Sequence, residues 1–373
     1  MTRTARWTQR LSDVRSAGRW RAPRPLTPTG PVTGTLDGRE VIVACSNDYL
    51  GLAWEVGGPA AGGGSGSSRL ISGSRPIHHQ LEDAVGAWFD GEAVLFPSGW
   101  QANVGVLSTL PESADVVASD ALNHASIIDG LRLSKAQRHV IPHCRPDAVP
   151  STATLIVLEG LYSMDGDVPP FAAYPPAPLL IVDEAHAVGC LGPRGRGAAA
   201  AAGVRPDVVI GTFGKAFGAA GAFAVGSPPL RDLLQNLARS YIFTTAAPEP
   251  VVAMALTGFR RATEDPTLQQ RLATVAHRLR TGLRQLGWTV VGDHHVLGVV
   301  LGNNALACAA RLLERGVWAA PIRWPTVPQG SERIRLGASA AMTNEQVDRV
   351  LDAFGVCAAT DPPPLTPTSR AGP

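Results

Sequence analysis

The sequence predicts an α/β fold in which a large domain, built on a mainly parallel sheet, precedes a smaller α+β lobe. Three observations carry this. Short apolar runs at 154–158, 179–182 and 208–210 alternate with helical stretches, as buried parallel strands do. At 373 residues the chain exceeds a typical single domain. Chemically useful residues also follow the apolar runs directly: Ser98-Gly99, Glu159, the Asp183-Glu184-Ala185-His186 tetrapeptide, and Thr212 to Lys215. In an open α/β sheet, function gathers at the C-terminal ends of strands.

In chain order, residues 7–20 read as a short helix and 23–31 as a Pro-rich link. A turn at Leu36-Asp37-Gly38 leads into an apolar triplet at 41–43, a hairpin signal. The Gly-rich stretch 57–66 is loop, and from His79 an amphipathic helix carries Leu81, Val85, Trp88 and Phe89 on one face. Short apolar segments at 93–96 and 116–119 precede helices running to Leu107 and Leu133. After residue 250 the character changes. A long helix (266–286), strands at 288–291 and 296–301, a helix at 305–315, a strand at 333–336 and a helix at 343–354 form the second lobe. The last of these opens with Thr343-x-x-Gln346, a capping-box pattern. The resulting division is an N-terminal segment 1–45, a large domain 46–250, a small domain 251–360 and a disordered, low-complexity tail 361–373.

Composition narrows the function. A net charge of +2 without a basic run argues against dedicated nucleic-acid binding. No apolar run approaches the ~20 residues needed to cross a bilayer. The N-terminus lacks the apolar core of a secretory signal, and five scattered cysteines form no C-x-x-C pair. A cytoplasmic, reducing setting is the expectation.

Only two of the 33 basic residues are lysines, Lys135 and Lys215. Lys215 lies in a Gly-rich apolar stretch beside Phe213, Phe217 and Ala222. An amine desolvated there loses its proton readily, which is the condition for Schiff-base chemistry, whereas arginine stays protonated. A lysine snorkelling from a half-buried helix is the plainer alternative. Asp183 after LLIV is either a helix N-cap or a buried carboxylate that needs a cationic partner such as a protonated pyridine nitrogen. His124 is a loop histidine or one that stacks on a cofactor ring, and the amides of Gly99 and Trp100 at a strand-to-helix turn suit a phosphate. The DEAH tetrapeptide lacks the phosphate loop of a nucleotide motor. The doublets His78-His79 and His294-His295 lack the spacing of a metal site, so no metal is expected.

Eight ordered motifs spanning roughly residues 11–356 resemble the pyridoxal 5′-phosphate (PLP)-dependent α-oxoamine synthases: SNDYLGLA (46–53), SG-x4-H-x2-LE (72–82), FPSGWQAN (96–103), NHAS (123–126), EGLYSMDGD (159–167), VDEAHAVGCLGPRGRG (182–197), TFGKAFG (212–218) and FTTAAPEP (243–250). These are fold-type I transferases that condense an amino acid with an acyl thioester and release CO2. The resemblance implies a seven-stranded, mainly parallel sheet and a homodimer with a shared active site. By matched position, Lys215 resembles the cofactor-bearing lysine, Asp183 the pyridinium partner, His124 the ring-stacking histidine and His186 the contact to the cofactor hydroxyl. Gly99, Trp100 and Thr212 resemble the phosphate binders, with Thr245 contributed by the neighbouring subunit; Ser163 resembles a cofactor contact and Glu159 a nearby acid. Asn47 and Arg335 match the positions that hold the amino-acid carboxylate.

Within the family, segment 322–336, IRWPTVPQGSERIRL, is most similar to the members that join L-alanine to a pimeloyl thioester in biotin synthesis, carried by CoA or an acyl carrier protein. Arg323 is the distinguishing residue, and Thr326 and Arg21 match substrate-contacting positions. Members making 2-amino-3-ketobutyrate, 5-aminolevulinate or 3-ketosphinganine share the cofactor residues, and a synthase of secondary metabolism is a further alternative. A non-catalytic subunit of the same fold is the alternative from another class. The segment between residues 53 and 72 is shorter than in the family and rich in glycine.

Overall fold

The computed structural model describes residues 3–20, 23–56 and 63–360. Arg21, most of the Gly-rich stretch and the C-terminal tail lie outside the described residues. The chain opens with a helix, Arg3–Ser16, that ends where Gly18 turns left-handed (φ +64°) and Arg19 N–H closes on the Val14 carbonyl at 2.9 Å. Termination here is earlier than the sequence suggests, because only glycine adopts that φ without cost.

The Pro-rich link is a strand rather than a linker. β1 (Leu26–Gly30), β2 (Thr33–Leu36) and β3 (Arg39–Val43) form an antiparallel meander. Asp37 and Gly38 both have positive φ (50° and 77°), as a two-residue hairpin turn requires.

The main sheet has seven strands: β4 (Glu92–Phe96), β5 (Val116–Asp120), β6 (Gln137–Ile141), β7 (Leu155–Glu159), β8 (Leu179–Asp183), β9 (Val208–Thr212) and β10 (Ala222–Gly226). Their spatial order is β4-β10-β9-β8-β7-β5-β6, and only β10 runs antiparallel to its neighbours. All five residues of β7 and of β9 are buried, because helices cover both faces of the central strands. β6 is an edge strand whose first four residues are exposed, so it lacks the apolar run that betrays the others.

The second lobe carries β11 (Val290–Val291), β12 (Val296–Val300), β13 (Val317–Trp318), β14 (Ala320–Ile322) and β15 (Arg333–Gly337). β11, β12, β15 and β14 make one antiparallel sheet, while β13 pairs in parallel with β3. The N-terminal meander and the C-terminal lobe therefore share a sheet. The last helix, Asn344–Thr360, opens on the expected box: Thr343 Oγ1 accepts from Gln346 N at 3.2 Å, and Gln346 Oε1 accepts from Thr343 N at 2.9 Å.

One buried ion pair holds the start of the large domain in place. Arg69 and Glu82, 8% and 5% exposed, meet in a fork at 3.0 and 2.9 Å, and Glu82 Oε1 also accepts from Leu95 N of β4 at 3.1 Å. Removing one partner strands a buried charge. Arg69→Ala is expected to lower the unfolding free energy by about 3–5 kcal/mol in urea denaturation, and a loss under about 1 kcal/mol would mean that water reaches Glu82.

Candidate active site

The C-terminal ends of β9, β8, β7 and β5 deliver side chains to one rim of the sheet. β9 ends at Thr212, and the chain folds back over 213–221: Phe213 N–H donates to the Gly221 carbonyl at 2.9 Å and Gly218 N–H to the Lys215 carbonyl at 3.0 Å. Gly218 has φ +66°, and a Cβ there would lie 2.3 Å from Ala53 N, so only glycine lets this turn press against the 51–53 segment. Phe217, two residues beyond Lys215, is fully buried. The Lys215 ammonium makes no hydrogen bond or ion pair among the described residues. Burial lowers the Lys215 pKa to about 8, although Asp183 and Glu159 pull the other way.

Asp183 closes β8. Its Oδ2 accepts from Asn103 Nδ2 at 2.7 Å and its Oδ1 from Ala185 N at 2.9 Å. The same Asn103 amide donates to Ser126 Oγ at 2.9 Å, and Ser126 Oγ lies 2.7 Å from His124 Nδ1. A relay thus fixes the Asp183 carboxylate relative to the imidazole of His124. His124 caps the helix Ala125–Leu133 and sits edge-on to the exposed Trp100 at 6.0 Å. Burial lowers the His124 pKa, with Lys215 adding to the effect, so the ring is neutral. Glu159 ends β7 and is 4% exposed; burial, then the Asp183 charge, raises its pKa well above the usual carboxylate range.

A second network lies across the cleft. Tyr49, fully buried, has its hydroxyl 2.7 Å from His186 Nδ1 and 3.1 Å from Asn47 Oδ1, and it accepts from Arg335 Nη2 at 3.2 Å. Burial raises the Tyr49 pKa to about 12, so the hydroxyl keeps its proton. Arg335 lies mid-strand in β15, and its Nε donates to the Ser163 carbonyl at 2.6 Å. Its Nη1 has no partner among the described residues, leaving one end of the fork available to an anion. His295 donates from Nε2 to the His186 carbonyl at 2.8 Å and packs edge-on against Tyr49 at 4.3 Å. Burial holds both histidines neutral, His295 at about 3. The His294-His295 doublet thus includes a packing residue beneath His186.

An anion site completes the rim. Ser98 caps the helix Gly99–Thr109 by accepting from Gln101 N at 3.2 Å, while the N–H groups of Gly99 and Trp100 find no acceptor among the described residues. Thr212 Oγ1 accepts from Gly214 N at 3.1 Å, and a Cβ on Gly99 would point at Thr212 Cβ from 3.8 Å. Gly99, Trp100 and Thr212 therefore frame one small cradle. Thr245 is exposed, bridged to Ser68, and no hydrogen bond joins it to Lys215, Thr212 or Gly99.

Arg323 and Thr326 line a separate cavity of about 270 Å³ with Arg19, Pro321, Ile322 and Trp324. Arg323 Nη1 donates to the Gly18 carbonyl at 2.6 Å, and the Arg19 guanidinium lies over Trp324 at 5.1 Å with its Nε buried and unbonded. The expected Arg21 is outside the described residues, and Arg19 is the N-terminal arginine that the structure brings here. Sequence reading also gives no role to Tyr49, Asn103, Ser126 or His295. The first three lie inside motifs already quoted, but a contact between segments far apart in the chain has no local signature.

A model of the family "Aminotransferase class I and II" matches residues 39–354. The chain belongs to this family. Two curated members similar to it are 8-amino-7-oxononanoate synthases: that of Halorhodospira halophila, 40% identical over 97% of each chain, and that of Anaeromyxobacter sp. (strain K), 41% identical over 94% of each. Among solved structures, a serine palmitoyltransferase from S. paucimobilis with a bound PLP–myriocin adduct superposes with a TM-score of 0.89 at 27% identity, covering 96% of this chain and 99% of that one. PLP is the cofactor of these family members, and the residues here fit it. An unpaired amine of lowered pKa, a fixed carboxylate, an open imidazole face and a cradle of free N–H groups correspond to its aldehyde, pyridine nitrogen, ring and phosphate. Among the described residues, no helix is long and apolar enough to cross a membrane.

Proposed function

We propose that this family member condenses L-alanine with a pimeloyl thioester, giving 8-amino-7-oxononanoate, CO2 and the free thiol, the step of biotin synthesis named for its relatives. The observation that carries the reading is the unpaired end of the Arg335 fork in the same cleft as the unpaired Lys215 amine, where one α-amino acid meets both. Bound PLP supplies an electron sink for charge developing at Cα. Lys215 holds the cofactor at rest, then as a free amine removes the Cα proton and later returns it to the same carbon. Asp183 keeps the pyridine nitrogen protonated, and Asn103 keeps Asp183 aimed. His124 packs its neutral ring on the cofactor, His186 and Ser163 contact its edge, and Gly99, Trp100 and Thr212 hold the phosphate. Arg335 and Asn47 take the alanine carboxylate, which orients the Cα–H bond. Thr245 reaches the phosphate of the partner subunit in a homodimer. Five free cysteines suit a reducing cytoplasm.

The cavity between Arg19 and Arg323 supports an acyl chain that ends in a carboxylate. β14 pairs Ala320 with Arg335, and Arg323 lies three residues further on, about 10 Å along an extended strand. An extended dicarboxylic acyl chain spans such a gap. Thiol release is to be measured with alanine, glycine and serine, each against pimeloyl-CoA and heptanoyl-CoA, which carries a methyl group in place of the distal carboxylate. Pimeloyl-CoA with alanine is expected to be preferred about 10- to 100-fold, the worth of a charged hydrogen bond, and Arg19→Ala is expected to erase most of that preference. Equal use of both thioesters would overturn the cavity assignment. Release with glycine or serine alone would overturn alanine.

A further inference from the structure

His143 lies beyond the cleft, on the segment that follows β6. Its Nδ1 is 2.9 Å from Asp120 Oδ1, and its Nε2 is 2.9 Å from Asp167 Oδ2. The two carboxylates belong to different segments. Asp120 ends β5, is 2% exposed, and accepts from Leu122 N and Cys144 N, both at 2.8 Å. It is thus the base of the 121–124 loop that presents His124. Asp167 closes the 162–167 turn, its carbonyl accepting from Tyr162 N at 3.0 Å. That turn is fastened to β15, where the Ser163 carbonyl takes Arg335 Nε at 2.6 Å and Asp165 takes Arg333 Nη1 at 2.9 Å.

Ionised carboxylates only accept, so a ring bonded to one at each nitrogen must donate twice and is an imidazolium. Burial opposes the charge, but the bonds to Asp120 and Asp167 outweigh it, and the His143 pKa is pushed up to about 12. The other groups facing the ring are Cys144, whose Sγ is 3.5 Å from Nε2, and Tyr162, edge-on at 4.5 Å. Burial raises the pKa of both, so neither carries charge at neutral pH. The cluster Asp120, His143 and Cys144 has a ligand-like composition, yet both imidazole nitrogens are already engaged by carboxylates.

We propose that His143 is a positioning residue: a doubly donating imidazolium that fixes the loop bearing His124 against the turn bearing Ser163, and through Ser163 sets the reach of Arg335. The kinetic half of the proposal rests on Arg335 binding the amino-acid carboxylate; the charge on His143 does not. In histidine-labelled PLP-loaded protein, nitrogen NMR at pH 9 should find both His143 ring nitrogens protonated. H143Q and D167N should each raise the KM for L-alanine about tenfold or more, with kcat and PLP affinity changed less than about threefold. If the parent uses glycine or serine instead, that substrate's KM is read. D167N keeps the test open should H143Q not fold. A neutral His143 at pH 9, a bound metal ion at this cluster, or a folded variant with parental KM would overturn the proposal. Absence of turnover in the parent would overturn the functional reading alone, since the NMR needs no substrate.

Discussion

Lys215→Ala is expected to abolish measurable turnover, a loss of at least about a thousandfold, because it removes both the amine that holds the cofactor and the base that reaches Cα. The protein should still fold, since the ammonium makes no hydrogen bond or ion pair among the described residues. The sharper form of the test uses pH. Burial lowers the Lys215 pKa to about 8, and only the unprotonated amine attacks an aldehyde. Cofactor capture by the parent, followed by visible absorbance, should accelerate as pH rises through about 8 and level off above it. Borohydride reduction followed by peptide mass mapping should place the label on the 212–218 segment. A label on Lys135, or full turnover by Lys215→Ala without added amine, would remove Lys215 from the mechanism.

Asp183→Asn should lower turnover about 100- to 1000-fold while leaving the melting temperature within a few degrees. Asparagine keeps the shape and one acceptor for Ala185 N, so the turn after β8 survives. What is lost is the negative charge that keeps the pyridine nitrogen protonated, and with it the electron sink. The variant should still bind PLP, with turnover limited at proton removal and a large isotope effect for deuterium at Cα. Turnover within about threefold of the parent would reduce Asp183 to a support for the turn after β8, where the structure has no helix for it to cap.

These residues were visible because they sit where an apolar run stops. Glu159, Asp183 and Thr212 are the last residues of β7, β8 and β9; β7 and β9 are buried throughout and β8 over its last three residues, which makes these strands apolar runs. Elements without that signal leave little trace in the sequence. β6 is solvent-facing along most of its length, and β1 carries Pro28 on an edge where a missing N–H does no harm. β10 was absorbed into the apolar stretch around Lys215, since its antiparallel direction leaves no mark on composition.

By itself, the sequence determined the family, the α/β class and the chemical identity of each group at the sheet rim, because strand periodicity and ordered motifs are local properties of a chain. Only the tertiary structure decided which groups act together. Tyr49 joins His186 to Arg335 across 286 residues of sequence, Asn103 aims Asp183 from 80 residues away, and His143 spans Asp120 and Asp167. Arg19, rather than a residue assigned by its place in a motif, lines the cavity beside Arg323. Such contacts depend on packing and on protonation set by burial, and neither is encoded in the spacing of residues along the chain.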